Sequence, residues 1–236
     1  MSTFRADKFE VEILYEDKNV IAFVKPAGLL SQKADGTNED SVLEYLDAYF
    51  NGKSKAYPVH RLDRTTGGVM VVAKNPRAAA ALSTLASGDG MKKEYLAAVH
   101  GTPTGGRLED MLYFDRRKNK SFVVKSDRRG VKRAVLEYET LSSCDGYSIV
   151  KIRLMTGRTH QIRVQMSHAG HPLLGDGKYG GRDNKCSCPL WSHRITFDHT
   201  LLEETSLGGS AFSKSLSADP DLLISSPSGY PWDSLL

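Results

Sequence analysis

Five apolar residues in a row, Val69-Met70-Val71-Val72-Ala73, entered through Gly67-Gly68 and left through Lys74-Asn75-Pro76, constrain the fold more than any other segment. The run has the length of a strand and turn residues on both sides, so it predicts a buried central strand. Directly ahead lies Tyr57-Pro58-Val59-His60-Arg61-Leu62-Asp63-Arg64-Thr65-Thr66, which sets one carboxylate, Asp63, among cations in the loop at the strand's mouth. An aspartate so placed is either a single presented nucleophile or an ordinary surface ion pair. The rest of the chain decides between them.

Around that strand the pattern alternates. Val11 to Tyr15 and Val20 to Lys25 are β-prone runs joined by the polar turn Glu16-Asp17-Lys18-Asn19, the signature of a hairpin. Ser41, with Glu44 three residues later, predicts a capped helix through Tyr49-Phe50. Pro76 opens an alanine-rich helix to Leu85. Further strands are predicted at Lys92 to His100, Ser121 to Lys125, Ala134 to Leu141, Tyr147 to Leu154 and Leu190 to Phe197, and a helix at Arg158 to His168. Many strands with few helices and no regular βαβ repeat indicate the α+β class, with a mixed, mainly antiparallel sheet flanked by helices and loops.

At 236 residues the chain can bury a full core as one domain, expected over residues 1–200. Residues 201–236, rich in Ser, Gly, Asp and Pro, are expected to be an extension that wraps the body or is partly disordered. The N-terminus has no apolar leader and no run is long enough to span a bilayer, so a soluble cytoplasmic monomer is expected. Cys144, Cys186 and Cys188 form no disulfide framework, and Cys186, Cys188 and His193 match no common zinc spacing. The net charge is +4, but the last 36 residues hold five acids against one lysine, which leaves +8 on the body. Such a body suits an anionic partner. Arg116, Arg117, Lys118, Lys120, Lys125, Arg128, Arg129, Lys132 and Arg133 gather around Phe122 and are expected to form an RNA-facing hairpin rather than a charge-protected edge.

Several segments together resemble the RluA-type pseudouridine synthases. They are the Asp63 loop, Lys92-Lys93-Glu94-Tyr95-Leu96-Ala97-Ala98-Val99-His100-Gly101, Leu154-Met155-Thr156-Gly157-Arg158-Thr159-His160-Gln161-Ile162-Arg163, and Pro172-Leu173-Leu174-Gly175-Asp176-Gly177-Lys178-Tyr179-Gly180. Ile13-Leu14-Tyr15-Glu16-Asp17 and Lys25-Pro26-Ala27-Gly28-Leu29-Leu30 resemble that family too, so the likeness covers about residues 11 to 197. The resemblance implies the pseudouridine synthase catalytic fold and isomerisation of uridine in ribosomal RNA or tRNA stem loops, with neither a metal ion nor an organic cofactor. It implies that Asp63 acts at the ribose, as nucleophile or as base, that Arg163 keeps it ionised, and that Tyr95 stacks on the flipped uracil while its hydroxyl assists proton removal after the new bond forms. Arg61 corresponds to the residue inserted into the RNA stack, and Lys93 to a basic residue that supports the pocket or a phosphate.

The family usually carries Thr-Ser-Gly where this chain has Thr66-Gly67-Gly68, a change expected to loosen the loop. About ten residues precede the first expected strand, so the small N-terminal RNA-binding domain of many relatives is expected to be absent. Two other functions fit less well. An RNA-binding protein or chaperone that kept the fold without catalysis predicts a broken Asp63, Tyr95, Arg163 set. A sugar hydrolase needs a paired acid carboxylate, for which the motifs offer only Asp176.

Overall fold

The apolar run folds as β5 (Gly67–Ala73), and all seven of its residues are buried. Its side chains alternate between two cores: Met70 and Val72 enter one with Phe23, Leu46 and Tyr95, while Val69, Val71 and Ala73 enter the other with Leu82, Ile195 and Phe197. A strand covered on both faces has no reason to alternate with polar residues, which accounts for the unbroken pattern. The structure is a computed structural model that describes residues 2–33, 39–181, 189–198, 202 and 221–225.

β5 lies within a twelve-stranded sheet. β1 (Thr3–Ala6), β2 (Phe9–Glu16) and β3 (Val20–Lys25) lead antiparallel to one side of β5, and β4 (Tyr57–Pro58) also pairs with it. On its other side comes β11 (Leu190–Asp198), followed by β6 (Met91–His100), β10 (Tyr147–Leu154), β9 (Val131–Cys144), β7 (Gly106–Asp115) and β8 (Lys120–Val124). The β11–β5 contact is parallel, whereas the other pairings are antiparallel. β12 (Asp221–Ser225) pairs with β11 and Leu202 is buried in the core shared with Ile195 and Phe197, while the remainder of the expected extension, like Cys186 and Cys188, lies outside the described residues. Among the described residues no helix is long and apolar enough to cross a membrane.

Local chemistry fixes the turns and helix starts. Asp17 Oδ1 accepts the N–H groups of Asn19 and Val20, both at 2.7 Å, and closes the β2–β3 hairpin. α1 (Val42–Phe50) starts where Glu44 reaches back to the N–H of Ser41 at 2.7 Å. α2 (Pro76–Ser87) starts at Asn75, whose side chain accepts the N–H of Ala78 at 2.9 Å. α3 (Gln161–His168) begins three residues later than its sequence suggests. Gln161 explains the delay: its Oε1 accepts from the Arg158 N–H and the Thr156 hydroxyl, and its Nε2 donates to Val135 O, so residues 156–160 form a loop tied to β9.

β5 and β11 approach at Gly67 and Gly68. Gly68 has φ +107°, and a Cβ there would lie 2.2 Å from the carbonyl oxygen of Ser192. Only glycine meets both demands. Gly68→Ala is expected to lower stability by about 3 kcal/mol or more, from backbone strain plus overpacking, read by urea denaturation. Gly67 is closed as well, since a Cβ would meet the Trp191 ring at 2.5 Å. The Gly67 loop is therefore tightly packed rather than loosened, which corrects the expectation drawn from its missing hydroxyl.

Candidate active site

A cavity of about 390 Å³ opens where the loop before β5, the middle of β6 and the loop after β10 converge. Asp63 and Arg61 come from the first, Lys93 and Tyr95 from the second, and Met155 to Arg163 from the third. Its size falls within the usual range for small-molecule sites. Residues separated by a hundred positions meet because β6 and β10 pair side by side, Tyr95 opposite Ile152, and β11 binds β6 to β5.

Asp63 is the carboxylate at the heart of this cavity, its side chain 20 % exposed. Two donors from the α3 region face its Oδ2: Arg163 Nη1 at 3.6 Å and His160 Nε2 at 3.8 Å. The guanidinium of Arg163 is gripped from behind by Asp176, with Nε to Oδ2 at 2.6 Å and Nη2 to Oδ1 at 2.8 Å. The bidentate partner of Arg163 is thus Asp176 rather than Asp63. Asp176 is 1 % exposed, and the turn Gly175-Asp176-Gly177-Lys178 is built around this buried pair. The sequence offered Asp176 only as a possible second carboxylate and did not disclose its charge partner, because nothing in the spacing reveals which cation a buried aspartate meets.

Tyr95 is buried on β6, and burial together with the charge of Asp63 pushes its phenol well above the ordinary tyrosine value. It therefore stays protonated across working pH. Lys93 is buried, and its Nζ donates to the carbonyl of Ala86 at 3.2 Å, in the last turn of α2 where a cation is favoured. Lys93 consequently supports the pocket wall and is not extended toward solvent. Arg61 is exposed on the cavity rim and, among the described residues, makes no ion pair with Asp63 or any other acid.

Lys25, to which sequence reading gave no role, is fully buried and donates to Pro26 O at 2.8 Å and Leu29 O at 2.7 Å. Burial drives it down to about 7, while the charge of Asp63 pulls the other way. A second group of this kind is His60, which is half-buried with its Nδ1 enclosed. Its Nε2 accepts the N–H of Val71 at 3.0 Å, and burial, reinforced by Lys93, lowers its pKa from 6.5 to about 3. In that interval the unfolded chain holds a proton that the folded chain does not, so stability falls as pH drops below 6.5. Denaturation midpoints at pH 7 and pH 5 should show a loss in the parent about 2 kcal/mol larger than in His60→Gln.

The basic cluster divides between the β7–β8 turn and the β8–β9 connection. β8 and β9 flank β7, so both segments lie near the same end of that strand. Asp115 shapes the first turn by accepting the N–H groups of Arg117 and Lys118 at 2.9 and 3.2 Å. Arg116, Arg117, Lys118, Arg128 and Arg129 are exposed, and Lys120 is partly so. Aromatic rings lie among them: Lys118 and Lys120 each sit 5.7 Å from the Phe122 ring, and Arg128 sits 4.8 Å from Tyr113. β8 is tied to the cavity, since the Ser121 hydroxyl donates to Thr159 O at 2.5 Å.

The sequence and the fold have known counterparts. A profile for RNA pseudouridylate synthases matches residues 19–168. A protein named ribosomal large subunit pseudouridine synthase D from Borreliella burgdorferi is 33 % identical over 93 % of this chain and 68 % of its own length. Proteins of the same name from Zymomonas mobilis and Pseudomonas aeruginosa are 36 % and 38 % identical, over 84 % and 75 % of this chain and 64 % and 56 % of their own lengths. The chain thus spans between about half and two thirds of the curated relatives it matches. Among solved structures, human RNA pseudouridylate synthase domain containing 4 superposes with a TM-score of 0.69 at 22 % identity, covering 92 % of this chain and 88 % of the other. Human RNA pseudouridylate synthase domain containing 1 gives 0.64 at 25 % identity, covering 79 % and 78 %.

Proposed function

The chain belongs to the RNA pseudouridylate synthase family, and from that premise we propose that it isomerises specific uridines of structured RNA to pseudouridine, with Asp63 acting at the ribose. The observation that carries this reading is Asp63, the one carboxylate lining the cavity among the described residues, faced by Arg163 and His160 and close enough to Tyr95 to raise its pKa. The names of the relatives favour ribosomal RNA of the large subunit as the substrate.

The chemistry follows from the residues. A stacked uridine must be extruded into the cavity at a cost of about a few kcal/mol. Tyr95 offers the extruded base a ring to stack on, and Arg61, exposed at the rim, fills the gap left in the RNA stack. The glycosidic C–N bond then breaks, the freed uracil turns, and a bond forms from carbon while that carbon loses its proton. Atoms are conserved throughout. Asp63 either attacks the anomeric carbon or takes the proton from its neighbour, and the guanidinium of Arg163 stands 3.6 Å from its Oδ2 as the charge partner in the cavity. Because the Tyr95 phenol remains protonated, it serves as a hydrogen-bonding and stacking group rather than as a phenolate base.

RNA reaches the site across the strand end formed by Arg116, Arg117, Lys118, Lys120, Arg128 and Arg129, where cations alternate with rings as suits a backbone and its bases. Lys93 acts from beneath the pocket. Reversing three of these surface charges should weaken RNA binding and reduce the slope of log K against log salt by about one unit per lost phosphate contact. An unchanged slope would put the RNA elsewhere. The function itself is tested by mapping pseudouridines across total cellular RNA with and without the gene; loss of one or a few sites supports the proposal, and an identical map overturns it.

A further inference from the structure

We propose that His160 is a positioning residue for Asp63, held by Tyr179 as the tautomer that carries its proton on Nε2 and directs that proton at the Asp63 carboxylate. The proposal rests on the functional reading above and extends it to a residue for which nothing in the sequence motifs supplied a role.

The argument begins at Tyr179. Its hydroxyl oxygen accepts the backbone N–H of Ser121 at 2.8 Å and lies 2.9 Å from His160 Nδ1. Having one proton to give, and no other acceptor among the described residues, the hydroxyl donates to Nδ1. The opposite arrangement would protonate Nδ1 and turn the lone pair of Nε2 toward the carboxylate, placing negative density against Asp63 Oδ2 at 3.8 Å. That is unfavourable between a ring that is 8 % exposed and a carboxylate that is 20 % exposed. The second ring nitrogen of a histidine is routinely set by the hydrogen bond made at the first.

Backbone geometry supports a constrained role. His160 has φ +54°, a left-handed conformation that a non-glycine residue adopts at a cost, and it does so directly before α3. The imidazole is 8 % exposed and edge-on to Phe114 and Tyr179, with ring centroids at 6.3 and 5.7 Å. Burial, with Arg163 and Lys178 nearby, lowers its pKa against the opposing pull of Asp63 and Asp176, which favours the neutral ring.

Both Nε2–H and the Arg163 guanidinium face Oδ2. Asp63 Oδ1, with no hydrogen-bond donor among the described residues, is left as the oxygen that meets the ribose. At 3.8 Å the His160 contact is longer than a hydrogen bond in the free protein, and such contacts commonly tighten when substrate is bound. A shift of a carboxylate by about 1 Å is worth about 100-fold in rate.

The test has two readouts. In ¹⁵N-histidine-labelled protein without RNA, the His160 signals, assigned by their loss in His160→Gln, should report a neutral ring protonated on Nε2. Asp63→Asn should move the Nε2 signal, and Tyr179→Phe should admit the other tautomer. A ring protonated on Nδ1, or an Nε2 signal indifferent to Asp63→Asn, overturns the proposal, and neither result depends on the protein being active. In single-turnover assays on an RNA the parent converts, His160→Leu should lower the rate at saturating RNA by about 100-fold with affinity within about twofold. His160→Gln, whose amide offers an N–H at the same reach, should recover to within about tenfold of the parent. Equal rates for the Leu and Gln variants overturn it. Absence of any uridine conversion by the parent itself would instead remove the functional reading and leave the tautomer measurement to decide the geometry.

Discussion

Asp63→Asn is expected to fold normally, bind RNA with parental affinity and lose turnover by on the order of 10⁴-fold or more. The amide keeps the shape of the carboxylate and can neither attack the ribose nor take a proton from it. Asp176, the other acid near the site, is engaged at both oxygens by Arg163 and cannot substitute. Neutralising Asp63 also removes one of the charges that bear on Lys25, Tyr95 and His160, so their titrations should shift while the fold persists. The decisive preparation is one free of parental enzyme: conversion of uridine by purified Asp63→Asn at a measurable fraction of the parental rate would end the mechanism proposed here.

Arg163→Met is expected to fail differently, by losing stability as well as rate. The guanidinium is the bidentate partner of a carboxylate that is 1 % exposed, and removing it leaves Asp176 as an uncompensated buried charge at a cost of about 3–5 kcal/mol. The rate should fall as well, since Asp63 loses a nearby cation. A second substitution separates the two effects. Arg163→Met combined with Asp176→Leu replaces the pair with apolar groups, so it should recover most of the stability and none of the activity. Recovery of both would mean that Arg163 serves only the fold, and loss of neither in the single variant would mean that the pair is not as drawn.

Most of the sheet was legible in the sequence because its strands are buried on at least one face. β3, β5, β6 and β10 announce themselves by apolar runs, and the two longer helices by Ser41 with Glu44 and by Pro76. β7 was not, for a physical reason. Only its first half is charged, with Arg107 and Glu109 in ion pairs with Glu137 and Arg133 on the neighbouring strand; Met111 to Phe114 is an apolar run that the sequence did offer, too short beside that charged stretch to mark a ten-residue strand. β1 and β12 are short and escaped for want of length. At the site, Asp63, Tyr95, Arg163 and Arg61 could be named from motifs because they sit at fixed offsets within them. Lys25, Asp176 and Tyr179 lay in the same motifs but owe their importance to partners distant in the chain, and pairing of that kind is written only in three dimensions.

The crowding at Gly67 constrains the order in which this chain could change. The serine usual in the family at that place would drive a Cβ to within 2.5 Å of the indole of Trp191. The two positions are therefore locked together although 124 places apart. A side chain at 67 and the ring at 191 compete for one volume, so a serine introduced at 67 alone forces the β5–β11 junction apart, whereas the same serine beside a smaller residue at 191 does not.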